Sequence, residues 1–143
     1  MDEMTEATSA LEHALERVGD RWTLLLIDTL QEGPQRFSEL LDRVRGIAPN
    51  ILSQRLKALE RDGIVVGRPY SSKPVRLSYE LSASGRELAG ALRLLAQWGA
   101  RGTEEFQTLT HDPCGTPMEA RWYCPTCAAA VLEDQEDSDV RFV

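Results

Sequence analysis

The segment from Arg36 to Leu81, RFSELLDRVRGIAPNILSQRLKALERDGIVVGRPYSSKPVRLSYEL, changes its hydrophobic period from helical to alternating within a short span, and this restricts the folds open to the chain. Leu40, Leu41 and Val44 predict a helix that opens at Ser38, a favourable N-cap residue, and stops at Gly46. Ile47 then plugs a tight turn. Pro49 suits the first turn of a second helix, where its missing N–H costs little, and that helix runs to about Asp62 before Gly63 supplies a left-handed cap. Ile64–Arg68 and Arg76–Leu81 alternate as strands do. Pro69 to Pro74 between them is expected to be a loop tip rather than a tight two-residue turn. Helix, turn, helix and basic hairpin in that order suit a second helix lying in a DNA major groove with the hairpin beside it.

The flanks add helices. Leu11, Leu15 and Val18 share one face of a helix over Ser9–Val18, and Asp20 can cap a second through Trp22 to Gln31, with Trp22, Leu25, Leu26 and Leu30 as its apolar stripe. After Ser82, a long helix is expected from about Ser84 to Phe106, carrying Leu88, Leu92, Leu95, Trp98 and Phe106 near one face. That surface exceeds what a small core needs. It predicts a second copy of the chain packed through Leu11, Leu15, Leu88, Leu92, Leu95 and Trp98. The alternative is that the long helix folds back on the first helix of its own chain. The fold class expected is mainly α with a small β-hairpin (α+β), a winged helix-turn-helix with dimerising terminal helices.

Composition matters here through its distribution. The net charge of −7 argues against a polyanionic partner, yet between Pro34 and Arg76 nine basic side chains face four acidic ones. This leaves a local surplus of five positive charges and puts −12 on the rest of the chain. If Leu52, Leu56 and Leu59 face the core, Asn50, Ser53, Gln54 and Lys57 lie opposite, none of them acidic. Gln54 has the amide needed for a bidentate contact to adenine, and Asn50 or Ser53 could read a base or hold a phosphate. A plain solvated helix face is the competing use of those four positions. The hairpin favours the DNA reading, since Arg68, Lys73 and Arg76 bracket Tyr70, Ser71 and Ser72 with no acid before Glu80. The candidate double-stranded-DNA contacts are therefore Arg36, Ser38, Pro49, Asn50, Ser53, Gln54, Arg55, Lys57, Arg68, Ser71, Ser72, Lys73 and Arg76.

A resemblance then covers about residues 9–102. Ala10-Leu11, the run Val18-Gly19-Asp20-Arg21-Trp22-Thr23-Leu24-Leu25-Leu26, Gly33-Pro34, and Arg36-Phe37-Ser38-Glu39-Leu40 resemble HxlR-type transcriptional regulators. So do Gly46-Ile47-Ala48-Pro49-Asn50, Leu52-Ser53-Gln54-Arg55-Leu56, Leu59-Glu60, Gly63-Ile64-Val65, Arg68, Pro74-Val75, Tyr79-Glu80-Leu81, Gly85 and Trp98-Gly99. The resemblance implies a homodimer joined through the first and last helices of the domain, reading a pseudo-palindromic operator; repression is the expected role, with activation left open. It implies that Arg55 and the wing cations serve phosphates. Many such regulators sense electrophiles or oxidants through a cysteine near the first helix. This chain has Leu11, Glu12 and His13 there and no cysteine before Cys114, so it departs from that pattern.

All three cysteines follow residue 110. His111-Asp-Pro-Cys114 and Cys124-Pro-Thr-Cys127 place two pairs of nitrogen or sulfur donors, each with a two-residue gap, as a tetrahedral structural zinc requires. The segment is too short for its own core, and a Zn2+ staple held by His111, Cys114, Cys124 and Cys127 would supply the missing stability. A flexible tail with ordinary thiols and a Cys124–Cys127 redox pair are the two alternatives. Glu133–Asp139 is acidic and expected to be solvated and disordered.

These readings divide the chain into a DNA-binding and dimerisation domain over 1–107, a Cys/His segment over 108–130 and an acidic tail over 131–143. The acidic start is no signal peptide and no run is long enough to span a membrane, so a cytoplasmic protein is expected. Enzymatic function finds no support, with two histidines and no phosphate-cradling loop. A small-molecule effector could sit between Trp22 and Trp98 at a subunit boundary, although core packing is the simpler use of both. A module that binds protein rather than DNA remains the alternative function.

Overall fold

The computed structural model describes residues 9–105, 109–135 and 139–141. Phe106, the 107/108 boundary, the first eight residues and the acids Glu136 and Asp137 lie outside the described residues. The order is α1 (Ala10–Val18), α2 (Arg21–Leu30), β1 (Gln35–Arg36), α3 (Phe37–Arg43), α4 (Pro49–Arg61), β2 (Val65–Ser72), β3 (Val75–Leu81), α5 (Ala83–Glu87) and α6 (Ala89–Ala100). Four two-residue strands follow, β4 (Thr110–His111), β5 (Thr116–Pro117), β6 (Tyr123–Cys124) and β7 (Ala129–Ala130), then a 3-10 turn at Glu133–Gln135. The chain forms two compact units, Met1–Arg93 and Leu94–Val143. They divide within α6.

In the first unit, caps set the helices. Ser9 accepts from the Glu12 N–H while the Glu12 carboxylate accepts from the Ser9 N–H at 2.7 Å, a reciprocal capping box that starts α1. Asp20 Oδ1 accepts from the N–H groups of Trp22 and Thr23 and starts α2. α3 begins one residue before the expected start. Its cap position is Arg36, whose N–H donates to Glu39 at 2.6 Å, and Ser38 lies inside the first turn. Arg36 is already extended because β1 pairs with β3, Gln35 opposite Tyr79 and Arg36 opposite Ser78, so the chain enters α3 directly from a strand. That third strand is a two-residue edge with no alternation of its own.

Leu26, Ile27, Leu40, Leu52, Leu56 and Leu59 are fully buried, with Val18, Leu30, Val44, Ile47, Ile64, Val65 and Leu81 around them. α2 therefore turns Thr23 and Ile27 inward along with Leu26 and Leu30, while Leu25, expected in the stripe, is exposed. Trp22 packs against this core. Gly46, at φ +85°, makes the turn between α3 and α4, a conformation that costs a side chain roughly 1–2 kcal/mol.

The hairpin is longer than expected. β2 and β3 run on to Ser72 and Val75, leaving Lys73-Pro74 with a cis peptide bond as a two-residue turn, and a register irregularity lies between Pro69 and Ser71. The extra residue at Tyr70 absorbs the mismatch between two strands of unequal length, so residues read as loop remain paired. The long C-terminal helix is also divided. α5 ends at Glu87, α6 begins at Ala89 after a turn at Leu88, and α6 ends at Ala100 before Gly102 at φ +78°.

In the second unit, β4 pairs with β5 and β6 with β7, each antiparallel. Among the described residues no helix is long and apolar enough to cross a membrane.

Candidate nucleic-acid interface

α4 presents the surface that its spacing foretells. Leu52, Leu56 and Leu59 are buried while Asn50, Gln54 and Lys57 are exposed; Ser53 is half-buried at the flank and Pro49 is exposed at the first turn. No acid occupies the first turn, so the N–H groups at the positive end of the helix face solvent without a competing carboxylate.

Ion pairing sorts the basic residues. Arg43 is paired with Glu32, Arg61 lies 3.9 Å from Asp62, and Arg68 is bonded to Glu80 across the hairpin. Arg55 is held by Asp20, Nε to Oδ1 at 2.8 Å and Nη2 to Oδ2 at 3.3 Å. Its guanidinium holds the Asp20 carboxyl below the usual carboxylate range, assisted by the Thr23 and Trp22 N–H groups and opposed by desolvation. Arg55, expected to reach phosphate, is thus bonded within the protein. It fixes the angle of α4 against the start of α2. Spacing could not show this, because Asp20 is read locally as a cap.

Of the nine basic residues between Pro34 and Arg76, Arg36, Arg45, Lys57, Lys73 and Arg76 have no ion-pair partner among the described residues. Arg36 stacks over the Tyr70 ring at 4.4 Å, tying the start of α3 to the wing. Arg36, Ser38, Tyr70 and Arg76 line a shallow groove of about 440 Å³ with Phe37, Val75, Leu77 and Tyr79. The wing tip is braced from within, as the Ser71 hydroxyl donates to the Pro74 carbonyl at 2.9 Å. Ser72 and Lys73 are exposed there. Arg45, counted in the sequence only as charge, joins this set from the turn between α3 and α4.

A model of the HxlR-like helix-turn-helix family matches residues 17–107, which includes every element of this surface. The chain belongs to the HxlR-like helix-turn-helix family. Its members are transcriptional regulators that bind DNA, and this chain is one by descent. It is 38% identical over 122 residues to an uncharacterized HTH-type transcriptional regulator, Rv3095 of Mycobacterium tuberculosis, covering 82% of this chain and 77% of the relative. The solved reduced form of the transcriptional regulator YodB from Bacillus subtilis is 31% identical with a TM-score of 0.56, over 68% of this chain and 95% of that one. The structure of PA1607 is 26% identical with a TM-score of 0.74 and covers 96% of both chains.

The apolar positions expected at a subunit boundary of this HxlR-like chain fall into two groups. Leu88 and Leu92 are half-buried against the core of their own unit. Leu11 and Leu15 on α1 are 67% and 50% exposed, and Leu95 and Trp98 on α6 are 53% and 67% exposed. In the second unit His111 Nδ1 lies 3.4 Å from Cys114 Sγ, and Cys124 and Cys127 are hydrogen-bonded to each other. The structure brings the four candidate ligands together as pairs. Among the described residues no three His, Cys, Asp or Glu side chains meet closely enough to hold one ion.

Proposed function

We propose that this regulator works as a homodimer on a pseudo-palindromic operator, in the cytoplasm, and represses the genes beside it. α4 of each copy enters a major groove, where Asn50, Gln54 and Lys57 face base edges and phosphates. The β2–β3 wing lies against the backbone or the adjacent minor groove through Lys73 and Arg76. The observation that carries this reading is the concentration of cations without an ion-pair partner around α4 and the wing, namely Arg36, Arg45, Lys57, Lys73 and Arg76, beside a first turn of α4 that holds no acid. Exposed Leu11, Leu15, Leu95 and Trp98 supply apolar surface for a second copy.

The deciding experiment compares binding of the full chain to a genomic fragment enriched from its own host with binding to a random duplex at physiological salt. A preference on the order of a thousandfold is expected for a specific reader. Equal affinity for the two sinks the operator reading and favours a protein-binding module.

A further inference from the structure

The two hairpins of the second unit are copies of one another, thirteen residues apart. In the first, His111 ends the incoming strand opposite Thr116, Cys114 sits in the turn, and Gly115 is left-handed at φ +69°. In the second, Cys124 ends the strand opposite Ala129, Cys127 sits in the turn, and Ala128 is left-handed at φ +52°. Each turn therefore bends back so that the first and fourth residues present donor atoms side by side. Ala128 holds this shape without the freedom of glycine, and among the described residues it is the single non-glycine at positive φ. The backbone of the first turn is closed by the N–H groups of Cys114 and Gly115 donating to the His111 carbonyl, at 3.1 and 2.7 Å.

The separation of the donors is that of a chelate. A tetrahedral zinc bonds sulfur at about 2.3 Å and nitrogen at about 2.0–2.1 Å, which puts two of its ligand atoms roughly 3.5 Å apart. His111 Nδ1 and Cys114 Sγ are 3.4 Å apart. The sulfurs are also cradled by N–H donors. The Thr116 N–H is bonded to Cys114 Sγ, with Thr116 Oγ1 at 3.3 Å, and the Cys127 and Thr126 N–H groups are bonded to Cys124 Sγ. Such N–H···S bonds orient and stabilise thiolates, which is how the outer shell of a thiolate metal site acts.

We propose that these hairpins are the two halves of one structural zinc site, in which His111 and Cys114 from one turn and Cys124 and Cys127 from the other close on a single ion. Nine residues separate Cys114 from Cys124, and both hairpins belong to the same compact unit. Three thiolates and one imidazole favour zinc over hard cations, and four protein ligands leave no open position for catalysis. The ion replaces the hydrophobic core that so short a segment lacks.

The test uses the full chain purified under reducing conditions from zinc-supplemented medium. About one zinc per chain is expected, with the thiols shielded from a thiol reagent until a chelator is added. Replacing zinc by cobalt(II) should give the thiolate-to-metal and d–d absorption of a tetrahedral site. Cys114→Ser and Cys127→Ser should each lower zinc content at least tenfold, whereas His111→Cys, which keeps a ligand, should retain it. Thermal unfolding of the winged-helix unit serves as the control for folding in each variant. Less than about 0.2 zinc per chain with freely titrating thiols overturns the proposal. So does recovery of the reduced-purified chain with a Cys124–Cys127 disulfide and no metal.

Discussion

Arg55 on α4 and Asp20 at the start of α2 share a bidentate contact, at 2.8 and 3.3 Å, in which the aspartate also caps α2. One carboxylate thus starts α2 and ties α4 to it. Asp20→Ala removes both roles and is expected to cost about 1–2 kcal/mol of stability, chiefly through the lost cap. Asp20→Asn keeps the cap and loses the charge, so it should cost less. The partly exposed pair adds little by itself. Because the folded state holds the Asp20 carboxyl below its usual value, the unfolded chain binds the proton more readily. The contribution is then present above about pH 4 and lost as the pH falls through the lowered folded value. Denaturant titrations of the wild type and Asp20→Asn between pH 3 and 6 should converge toward the acid end; a constant gap would refute the linkage.

The same contact separates two kinds of arginine at the DNA face. Arg76 has no ion-pair partner among the described residues, so Arg76→Ala should weaken binding to all sequences and reduce the slope of log affinity against log salt by about 1. Arg55→Ala should weaken binding with little change in slope, since its charge is already matched by Asp20. A slope that falls equally in both variants would place Arg55 on phosphate after all. Gln54→Ala should relax discrimination at one base position by about 1–3 kcal/mol and leave the slope unaltered, measured on a panel of single-base operator variants.

Much of this surface is legible in the sequence because it follows from period. Leu52, Leu56 and Leu59 define the buried side of α4, which leaves Asn50, Gln54 and Lys57 outside with no further information needed. What period does not carry is pairing between distant segments. Asp20 and Arg55 are 35 residues apart, and each has a sufficient local explanation as a cap or a surface cation. Arg68 and Glu80 meet only once the hairpin register is known, and β1 exists only because β3 is there to pair with it. The hairpin tip departs from its local signals for a related reason: prolines and serines signal a loop, yet cross-strand pairing carries the strands through Pro69 and Ser72. Likewise the apolar run after Ser84 continues past the turn at Leu88, because a helical period survives a local break that hydrogen bonding does not.

α5 is seated on the end of α4 by close backbone contact. Ser82 Oγ donates to the Gly63 carbonyl at 2.6 Å and accepts from the Gly85 N–H at 3.1 Å, while the Ser82 N–H donates to the Ile64 carbonyl. A Cβ at Gly85 would collide with that Ile64 carbonyl and press on Leu81 Cδ2 at 3.1 Å. Gly85→Ala should therefore destabilise the first unit by about 1–3 kcal/mol, the usual cost of overpacking a rigid contact. Gly90, with nothing near it, serves as the control, and Gly90→Ala within α6 should stabilise by roughly 0.5–1 kcal/mol. Equal effects at the two positions in urea titrations would mean that the contact at Ile64 yields.

The exposed leucines test the dimer. Leu15 lies at mid-helix on α1 with half its surface in water, and Trp98 on α6 is two-thirds exposed, although each could have been replaced by a polar residue without disturbing the core. A partner that covers them would bury apolar surface at about 25 cal/mol per Å². Placing a charge there would oppose association while leaving the monomer fold intact, since neither side chain belongs to the buried set. Sedimentation of the wild type should give a dimer at micromolar concentration, and Leu15→Glu or Trp98→Glu should shift it toward monomer with unchanged far-ultraviolet circular dichroism. Operator affinity should fall with the dimer population, because a pseudo-palindrome read by one half loses the contribution of the second. A wild type that sediments as a monomer, or variants that bind the operator as tightly as the wild type does, would remove the two-fold reader and leave a single winged helix on a single half-site.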